Sequence, residues 1–214
     1  MITLFNWFAK ITGWPLQFLC FRTKIFYEDK RVQGRHIDGS AIIISNHTSI
    51  FDYAVYLFVF WTRTLRFQMA EVLYEKPVLR MLLRCLGGIK VDRSTHDFGF
   101  MPKSLSILEH GGVVGIFPES RLPLPGEERP LPFKVSAAYL ALESGAKIVP
   151  VVTNGSYFTR KRARVLIGKP LCAADLLEEG ANETENLAIV SERLRERIAA
   201  LEKQLHGTET TESR

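Results

Sequence analysis

Short runs of apolar, mostly β-branched residues limit the fold of this chain more than any other feature. Residues 41–45 (AIIIS) and 113–117 (VVGIF) are apolar at almost every position, so a strand formed by either run must be buried on both faces. Strands of this kind belong to parallel sheets that are covered by helices on both sides. The two runs therefore predict an α/β layered domain.

Five further runs and the stretches between them extend this prediction along the chain. Strands are predicted at 23–27, 41–45, 65–69, 88–92, 113–117, 148–153 and 163–167, and helices at 50–61, 72–86, 97–110, 134–145 and 184–205. This alternation indicates one domain over residues 22–206, with a largely buried, mixed and partly parallel sheet flanked by helices. The polar residues 207–214 are predicted to form a frayed tail.

The composition is that of a globular protein, with 46% hydrophobic and 24% charged residues among 214. These values exclude a disordered chain and a polytopic membrane protein. Cys20, Cys85 and Cys172 lie far apart, which disfavours a disulfide scaffold and a zinc ribbon. The chain has no P-loop, G-x-G-x-x-G or G-x-S-x-G motif, and its histidines show no metal-binding spacing. We therefore expect no bound cofactor and no metal.

The first twenty-one residues form an amphipathic segment with an unusually wide apolar face. Its polar residues follow one another at helical spacing, and almost everything else is apolar or aromatic; the polar positions are Thr3, Asn6, Lys10, Gly13 and Gln17. The sequence Gly13-Trp14-Pro15 predicts a break into two short helices. A hairpin that lies on a membrane is favoured, because no apolar run is long enough to span one. The alternative is a hairpin that caps the core of the domain itself.

The net charge of +5 is concentrated near the N-terminus. Residues 1–35 carry six bases and two acids, whereas residues 175–214 carry ten acids and five bases. Such a polarised chain is expected to turn its basic end toward an anionic surface. The Phe and Trp residues of the N-terminal segment favour anionic lipid as that surface, and no nucleic-acid partner is expected.

A histidine and an aspartate lie where a predicted strand gives way to a helix. The strand at 41–45 is followed by Asn46 and His47, and Asp52 comes at the predicted start of the helix. On one straight helix His47 and Asp52 would not share a face, so they can meet only if His47 lies in the turn and Asp52 in the first helical turn. Asp52 would then orient the imidazole as a general base. The alternative is a capping box formed by Ser49 and Asp52.

Three further blocks resemble known motifs when they are taken in order with the first. They contain Lys90 and Arg93, then Glu119-Ser120-Arg121 after Phe-Pro, and finally Pro150 between two valines. Together with N-H-x4-D, these blocks resemble the lysophospholipid and glycerolipid acyltransferase family, over residues 41–152. Its other blocks are G-x-I-x-x-x-R, F-P-E-G and V-P-V.

The resemblance implies a role for each matching residue. His47 would deprotonate the hydroxyl of a lysolipid, Asp52 would orient His47, and the hydroxyl would attack an acyl thioester directly. Arg93 would bind the phosphate of the acceptor, and Glu119 would shape the same pocket. The substrate-binding set implied in this way comprises Lys90, Arg93, Glu119, Ser120, Arg121 and Pro150, with Pro150 supporting a buried strand beside the acyl chain.

One departure from the family pattern leaves the second phosphate contact open. The family has Gly-Thr-Arg after F-P-E, whereas Ser120-Arg121 follows here, so either Arg121 or Arg129 is a candidate. Non-functional interpretations also stay open for the matching residues. Lys90 and Arg93 would lie at a solvated strand end, Glu119 and Arg121 would form an ion pair, and the proline would be an edge or bulge residue.

The sequence thus predicts a peripheral membrane enzyme at the cytoplasmic face. It would acylate a lysophospholipid, with 1-acyl-glycerol-3-phosphate as the favoured acceptor and phosphatidate as the product. The donor would be acyl-CoA or acyl-carrier protein, and an acidic carrier would meet the bases of residues 160–169. The alternatives are a non-catalytic lipid-binding or membrane-scaffold protein of the same fold and a thioester hydrolase.

Overall fold

The computed structural model describes residues 1–92, 99–124 and 126–212. A seven-stranded sheet forms its centre, with the strand order β1-β7-β6-β2-β5-β3-β4. The strands are β1 Lys24–Tyr27, β2 Ala41–Ser45, β3 Leu65–Ala70, β4 Ile89–Val91, β5 Val113–Ile116, β6 Lys147–Thr153 and β7 Arg164–Ile167. Neighbouring strands are parallel except for β6 and β7, which are antiparallel. The mixed, largely parallel sheet predicted from the sequence is confirmed.

Helices cover both faces of this sheet. They are α1 Ile2–Cys20, α2 Asp52–Val59, α3 Pro77–Leu86, α4 Phe100–Glu109, α5 Ser136–Ser144 and α6 Glu183–Glu212, with short 3-10 helices at Glu71–Tyr74 and Ala173–Leu176. The predicted helix at 72–86 is divided in two, because Pro77 occupies the first turn of α3 and begins a new helix there.

The core has two layers, one on each side of the sheet. Ala41 and Ile43 of β2 face the layer that contains α2 and the inner side of α1. Ile42 and Ile44 face the opposite layer, which contains α4, α5 and α6. All five β2 residues are buried, as expected for a strand that is apolar on both faces. β2 lies between β5 and β6, so the turn that follows it lies at the middle of the sheet edge.

The predicted break at Gly13-Trp14-Pro15 is wrong, because α1 is one helix that contains Pro15. Tertiary contacts support the helix across this point. A Cβ at Gly13 would lie 3.0 Å from the ring of Phe58, so glycine permits α1 to approach α2 closely. Trp14 and Phe58 add an edge-to-face ring pair at 6.3 Å.

The polar side of α1 packs on the domain. Asn6, Lys10 and Gln17 are buried, whereas most of the large apolar side chains of α1 are exposed. Lys10 donates to the carbonyl oxygens of Trp61 at 2.9 Å and Arg63 at 2.6 Å. Asn6 donates to the carbonyl oxygen of Leu86 at 2.9 Å. Phe5, Ala9 and Cys20 also pack against the core layer of α2. Helix α1 therefore covers part of the domain, as the alternative expected, while most of its apolar face stays exposed.

The last helix is longer than the sequence predicts. A helix over 184–205 with a tail from residue 207 is expected, but the backbone of α6 stays helical to Glu212. No proline follows Leu205, and a helix that is already formed adds further residues at little free-energy cost. Among the described residues, no helix is both long enough and apolar enough to cross a bilayer.

Candidate active site

The turn between β2 and α2 carries the candidate base. β2 ends at Ser45, His47 lies in the turn, and Asp52 is the first residue of α2. This is the arrangement that the spacing requires for the two side chains to meet. His47 Nδ1 lies 3.0 Å from Asp52 Oδ2, and the Asp52 side chain is fully buried. Because an ionised carboxylate can only accept, Nδ1 is the nitrogen that carries a proton toward Asp52, and in the neutral imidazole Nε2 keeps its lone pair.

The carboxylate of Asp52 accepts from several donors at once. Oδ2 also accepts the backbone N–H of Thr48 at 2.7 Å and of Ser49 at 2.9 Å. Oδ1 accepts the Thr48 hydroxyl at 2.8 Å and the Tyr157 hydroxyl at 2.7 Å. Together with His47 these are five donors, which leave the carboxylate little freedom to rotate. Asp52 is therefore a rigid support for the imidazole.

Half of the alternative capping box is also present. Asp52 accepts the backbone N–H of Ser49, but the Ser49 hydroxyl accepts the N–H of Phe51 at 3.2 Å and not that of Asp52. The Asp52 carboxylate thus holds both the turn and the imidazole. The capping role and the orientation of His47, which the sequence offered as alternatives, are both present.

The ring of His47 is also held from one side. It stacks on the ring of Phe117, with centroids 4.2 Å apart and an angle of 17° between the planes. Phe117 follows β5 and contacts Phe67 at 5.1 Å, so the stack is anchored in the core. The His47 side chain is 19% exposed. Only a small part of the imidazole therefore meets solvent.

Glu119 supports the backbone of the histidine. It is buried, its Oε1 accepts the N–H of His47 at 2.9 Å, and its Oε2 accepts the N–H of Leu131 at 2.9 Å. The carboxylate therefore ties the base-bearing turn to the loop after β5. The ion pair with Arg121 that the sequence offered as an alternative is not formed, since Arg121 pairs with Glu127 at 2.7 Å through both of its terminal nitrogens.

Ser120 occupies the position where the family has glycine. Its φ is +59°, in the left-handed region that costs an L-residue about 1–2 kcal/mol. Its backbone N–H donates to the carbonyl oxygen of Phe117 at 2.9 Å and closes a tight turn. The turn directs Glu119 inward to His47, while Arg121 lies exposed outside it.

The remaining predicted residues lie apart from His47. Lys90 is exposed on β4, an edge strand three positions from β2, and it lies 3.7 Å from Asp92. Pro150 lies inside the sheet on β6 and is paired with Ile44, so the edge-strand interpretation is wrong. Its carbonyl oxygen accepts the N–H of Gly168, which lies just past the end of β7. Proline has no N–H to donate, and Pro150 lies where the pairing of β6 with β7 stops. Arg93 lies outside the described residues.

A second clamp holds the residue before His47. Asn46 Oδ1 accepts the N–H of Thr153 at 2.9 Å, and Asn46 Nδ2 donates to the carbonyl oxygen of Thr153 at 2.9 Å. The same Nδ2 donates to Glu202 Oε1 of α6 at 2.7 Å. Burial raises the pKa of the Glu202 carboxyl, and the charge of Glu119 adds to that rise. The turn is thus joined to β6 and to α6.

Sequence reasoning missed several of these contacts. Tyr157 and Glu202 lie 105 and 156 positions from their partners Asp52 and Asn46, and no local motif marks them. Burial raises the pKa of Tyr157, and the nearby charge of Asp52 raises it further, so its hydroxyl remains a donor. Phe117 belongs to the F-P-E block, but the block did not indicate that its ring stacks on His47. Within residues 1–92, 99–124 and 126–212, no group of three potential ligands forms a metal site.

The fold and the site define an α/β protein with a His–Asp pair, its carboxylate buried, at the carboxyl end of its central strand. A family model described as Acyltransferase matches residues 24–154, which is more than half of the chain. The chain therefore belongs to the acyltransferase family.

Particular relatives and one solved structure are also similar. The chain is 31% identical over 138 residues to "1-acyl-sn-glycerol-3-phosphate acyltransferase" of Limnanthes alba, covering 61% of this chain and 47% of the relative. It is 31% identical over 139 residues to the protein of the same name from Limnanthes douglasii, covering 62% and 47%. The chain thus spans about half the length of these curated relatives.

The solved structure is that of the 1-acyl-sn-glycerophosphate (LPA) acyltransferase, PlsC, from Thermotoga maritima. It covers 94% of this chain and 79% of its own, with a TM-score of 0.62 and 20% identity. This likeness shows the fold.

Proposed function

We propose that this chain transfers an acyl group from a thioester to the free hydroxyl of a lysophospholipid, with 1-acyl-glycerol-3-phosphate as the acceptor. The observation that carries the proposal is the 3.0 Å contact between His47 Nδ1 and the buried Asp52 Oδ2. It leaves one imidazole nitrogen able to take a proton. The acceptor is the one named for the two Limnanthes relatives.

The proposed reaction needs one base and good positioning. His47 Nε2 takes the proton of the acceptor hydroxyl while its oxygen attacks the thioester carbonyl carbon. The C–S bond of the resulting tetrahedral intermediate then breaks. The departing sulfur takes the proton from His47, which leaves an ester and a free thiol. Because a thioester is already activated, no acyl-enzyme is required.

The exposed apolar side of α1 favours a bilayer as the place from which the acceptor is bound. Leu4 and Leu19 are more than 75% exposed, and Ile11 and Phe18 are more than 60% exposed. A contiguous apolar surface of this kind marks an interaction site. The proposed orientation turns this side of α1 into the cytoplasmic leaflet, whose anionic lipids attract bases near the surface.

An aromatic cluster joins α1 to the active-site turn. Phe21 at the end of α1 lies 6.4 Å from Phe51 and 5.3 Å from Phe158, and Phe51 lies 4.8 Å from Phe158, all between ring centroids. Phe51 directly precedes Asp52, and it is partly exposed together with Phe158. An acceptor that stays in the bilayer would therefore have a short apolar route to His47.

The donor is proposed to be acyl-CoA or acyl-carrier protein. The loop after β6 exposes Arg160, Lys161 and Arg162, which supports a basic surface for an acidic carrier. Part of this charge is already used within the chain. Arg162 donates to the carbonyl oxygen of Arg22 at 3.0 Å, and Lys169 lies 3.7 Å from Asp29.

An acceptor panel tests the proposed function. Purified protein is given an acyl-CoA or an acyl-carrier protein with lysophosphatidate, other lysophospholipids, monoacylglycerol or no acceptor. Free thiol and lipid product are measured together. We expect thiol release that depends on lysophosphatidate and equals phosphatidate formed.

The matched control compares two histidine variants. His47→Ala should abolish transfer, whereas His110→Ala, which removes an exposed imidazole outside the site, should leave it unchanged. Thiol release without an acceptor would favour hydrolysis instead. Lipid binding with neither product would favour a non-catalytic protein.

A further inference from the structure

A cavity of about 280 Å³ opens beside the active-site turn, and most of the residues that line it carry polar or charged groups. Asn46 and Thr48, the two neighbours of His47 in the chain, form part of its wall. Thr153 and Asn154 at the end of β6 form another part. The remaining wall comes from Arg129 in the loop after β5 and from Ala199, Glu202, Lys203 and His206 of α6. The cavity thus lies at the carboxyl ends of parallel strands, where ligands of α/β folds bind.

Basic groups outnumber acids in this wall. Arg129 and Lys203 are exposed bases, and the exposed side chain of His206 lines the same wall. Among the side chains that the structure describes, neither Arg129 nor Lys203 forms an ion pair, although the charge of Arg129 acts on the nearby Glu202 carboxyl and offsets part of the rise that burial causes in its pKa. Glu202 is the acid of the wall, and its carboxyl already accepts from Asn46 at 2.7 Å.

Arg121 is a poorer candidate for binding an anion. Both of its terminal nitrogens are bound by Glu127, and it does not line the cavity. Arg129, which the sequence offered as the other candidate, does line it. The cavity, at about 280 Å³, is slightly smaller than ligand pockets of about 300–1,000 Å³, so it suits a compact group such as a phosphate better than a long acyl chain.

We propose that Arg129 and Lys203, with His206 beside them, bind a phosphate group of a substrate in this cavity. Two substrates of the proposed function carry phosphate: the lysophosphatidate acceptor, and the thioester donor in its CoA or phosphopantetheine part. The site therefore deepens the proposed function and rests on it. It also gives the C-terminal helix α6 a direct part in substrate recognition.

Steady-state kinetics of Arg129→Ala and Lys203→Ala test this site. A charge-assisted hydrogen bond to phosphate is strong enough that each variant should raise one KM about tenfold, with kcat nearly unchanged. The substrate whose KM rises identifies the source of the phosphate. A neutral acceptor, monoacylglycerol, and a phosphate-free donor, acyl-pantetheine, should show no difference between wild type and variants.

Lys103→Ala is the matched control, because it removes an exposed base from α4 outside the cavity. Its KM values should equal those of wild type. If Arg129→Ala and Lys203→Ala keep wild-type KM values for both substrates while transfer proceeds, the inference is overturned.

Calorimetry separates this inference from the proposed function. CoA and glycerol 3-phosphate are titrated into the full-length wild-type protein and the same variants. Binding of either ligand by wild type, weakened about tenfold in Arg129→Ala and Lys203→Ala, supports the site even if no acyl transfer is detected. Equal binding by wild type and both variants, or no binding by wild type, overturns it.

Discussion

The backbone N–H of His47 donates to the buried carboxylate of Glu119 at 2.9 Å. This contact assigns Glu119 to the support of the base-bearing turn, where the family resemblance implied a part in an acceptor pocket. Its other oxygen holds Leu131, so the F-P-E block connects His47 to the loop that also carries Arg129.

Glu119→Gln should lower kcat with little change in the KM of the acceptor. Glutamine can accept only one of the two N–H groups, and its amide would face the other donor. An unsatisfied buried donor costs about 1–3 kcal/mol, so we expect about a tenfold or larger loss of kcat and a lower Tm. Kinetics and thermal melts of the variant check this. If only the KM of lysophosphatidate rises, Glu119 acts in binding the acceptor and not in supporting the turn.

Asp52→Asn should lower kcat by about 10²-fold or more, within the range of general-base catalysis. The amide group faces five donors and cannot accept from all of them, so the imidazole loses its fixed orientation. Ser49→Ala is the control, because it removes only the bond from the N–H of Phe51 to the hydroxyl. Parallel measurements of kcat and Tm are needed. A lower Tm with unchanged kcat would leave only the capping role.

Lys10 should make stability depend on pH in the alkaline range. Burial lowers the pKa of Lys10 from 10.5 to about 8, so the unfolded chain binds this proton more tightly than the folded one. The free energy of unfolding should therefore rise as the pH rises from about 8 to 10.5. Lys10→Met should lack this gain. The expected difference is about 2–4 °C in Tm between pH 8 and pH 10.5, after a discount for screening by solvent near the domain surface.

Differential scanning of both proteins across this range measures the effect. Other groups also titrate in this range, so the Tm of Lys10→Met is subtracted from the Tm of wild type at each pH. If the Tm of wild type minus that of Lys10→Met falls as the pH rises, the folded protein binds the charged amine more tightly than the unfolded chain does, and the prediction is wrong.

The outward side of α1 should carry the membrane affinity. Leu4, Ile11 and Phe18 are well exposed, so changing all three to serine removes apolar area without touching the buried polar side of the helix. Burial of one such side chain contributes up to about 1.5–3 kcal/mol. We therefore expect at least a tenfold loss of binding to anionic vesicles, measured by co-sedimentation, with Tm unchanged.

Leu177→Ser is the matched control for this test. It removes an exposed apolar side chain in the layer of α5 and α6, on the other face of the sheet. It should bind vesicles like wild type, and higher salt should weaken binding without abolishing it. Unchanged vesicle binding by the triple variant would rule out the outward side of α1 as the membrane contact.

Much of the fold could be predicted from local pattern. The runs at 41–45 and 113–117 became buried parallel strands, because a segment that is apolar on both faces has no stable place at a solvated edge. The spacing of His47 and Asp52 allowed contact only across a strand-to-helix junction, and that junction is where the chain forms it. These features depend on neighbours within a few positions, so the sequence contains the whole signal.

Other features required the folded chain. Tyr157, Glu202 and Thr153 reach the turn from over one hundred positions away. Thr153 and Tyr157 are brought there because β6 pairs with β2, and Glu202 because α6 packs on β6. The orientation of α1 is of the same kind. Its polar stripe looks like a solvated side, yet it is buried, because Lys10 and Asn6 find backbone carbonyl oxygens there that no local pattern reveals. The sequence by itself determined which side chains the protein has to bury in its sheet and where His47 and Asp52 can meet. The tertiary structure decided which distant donors and acceptors bind to this pair and to its turn, because hydrogen bonds depend on distances that only packing sets.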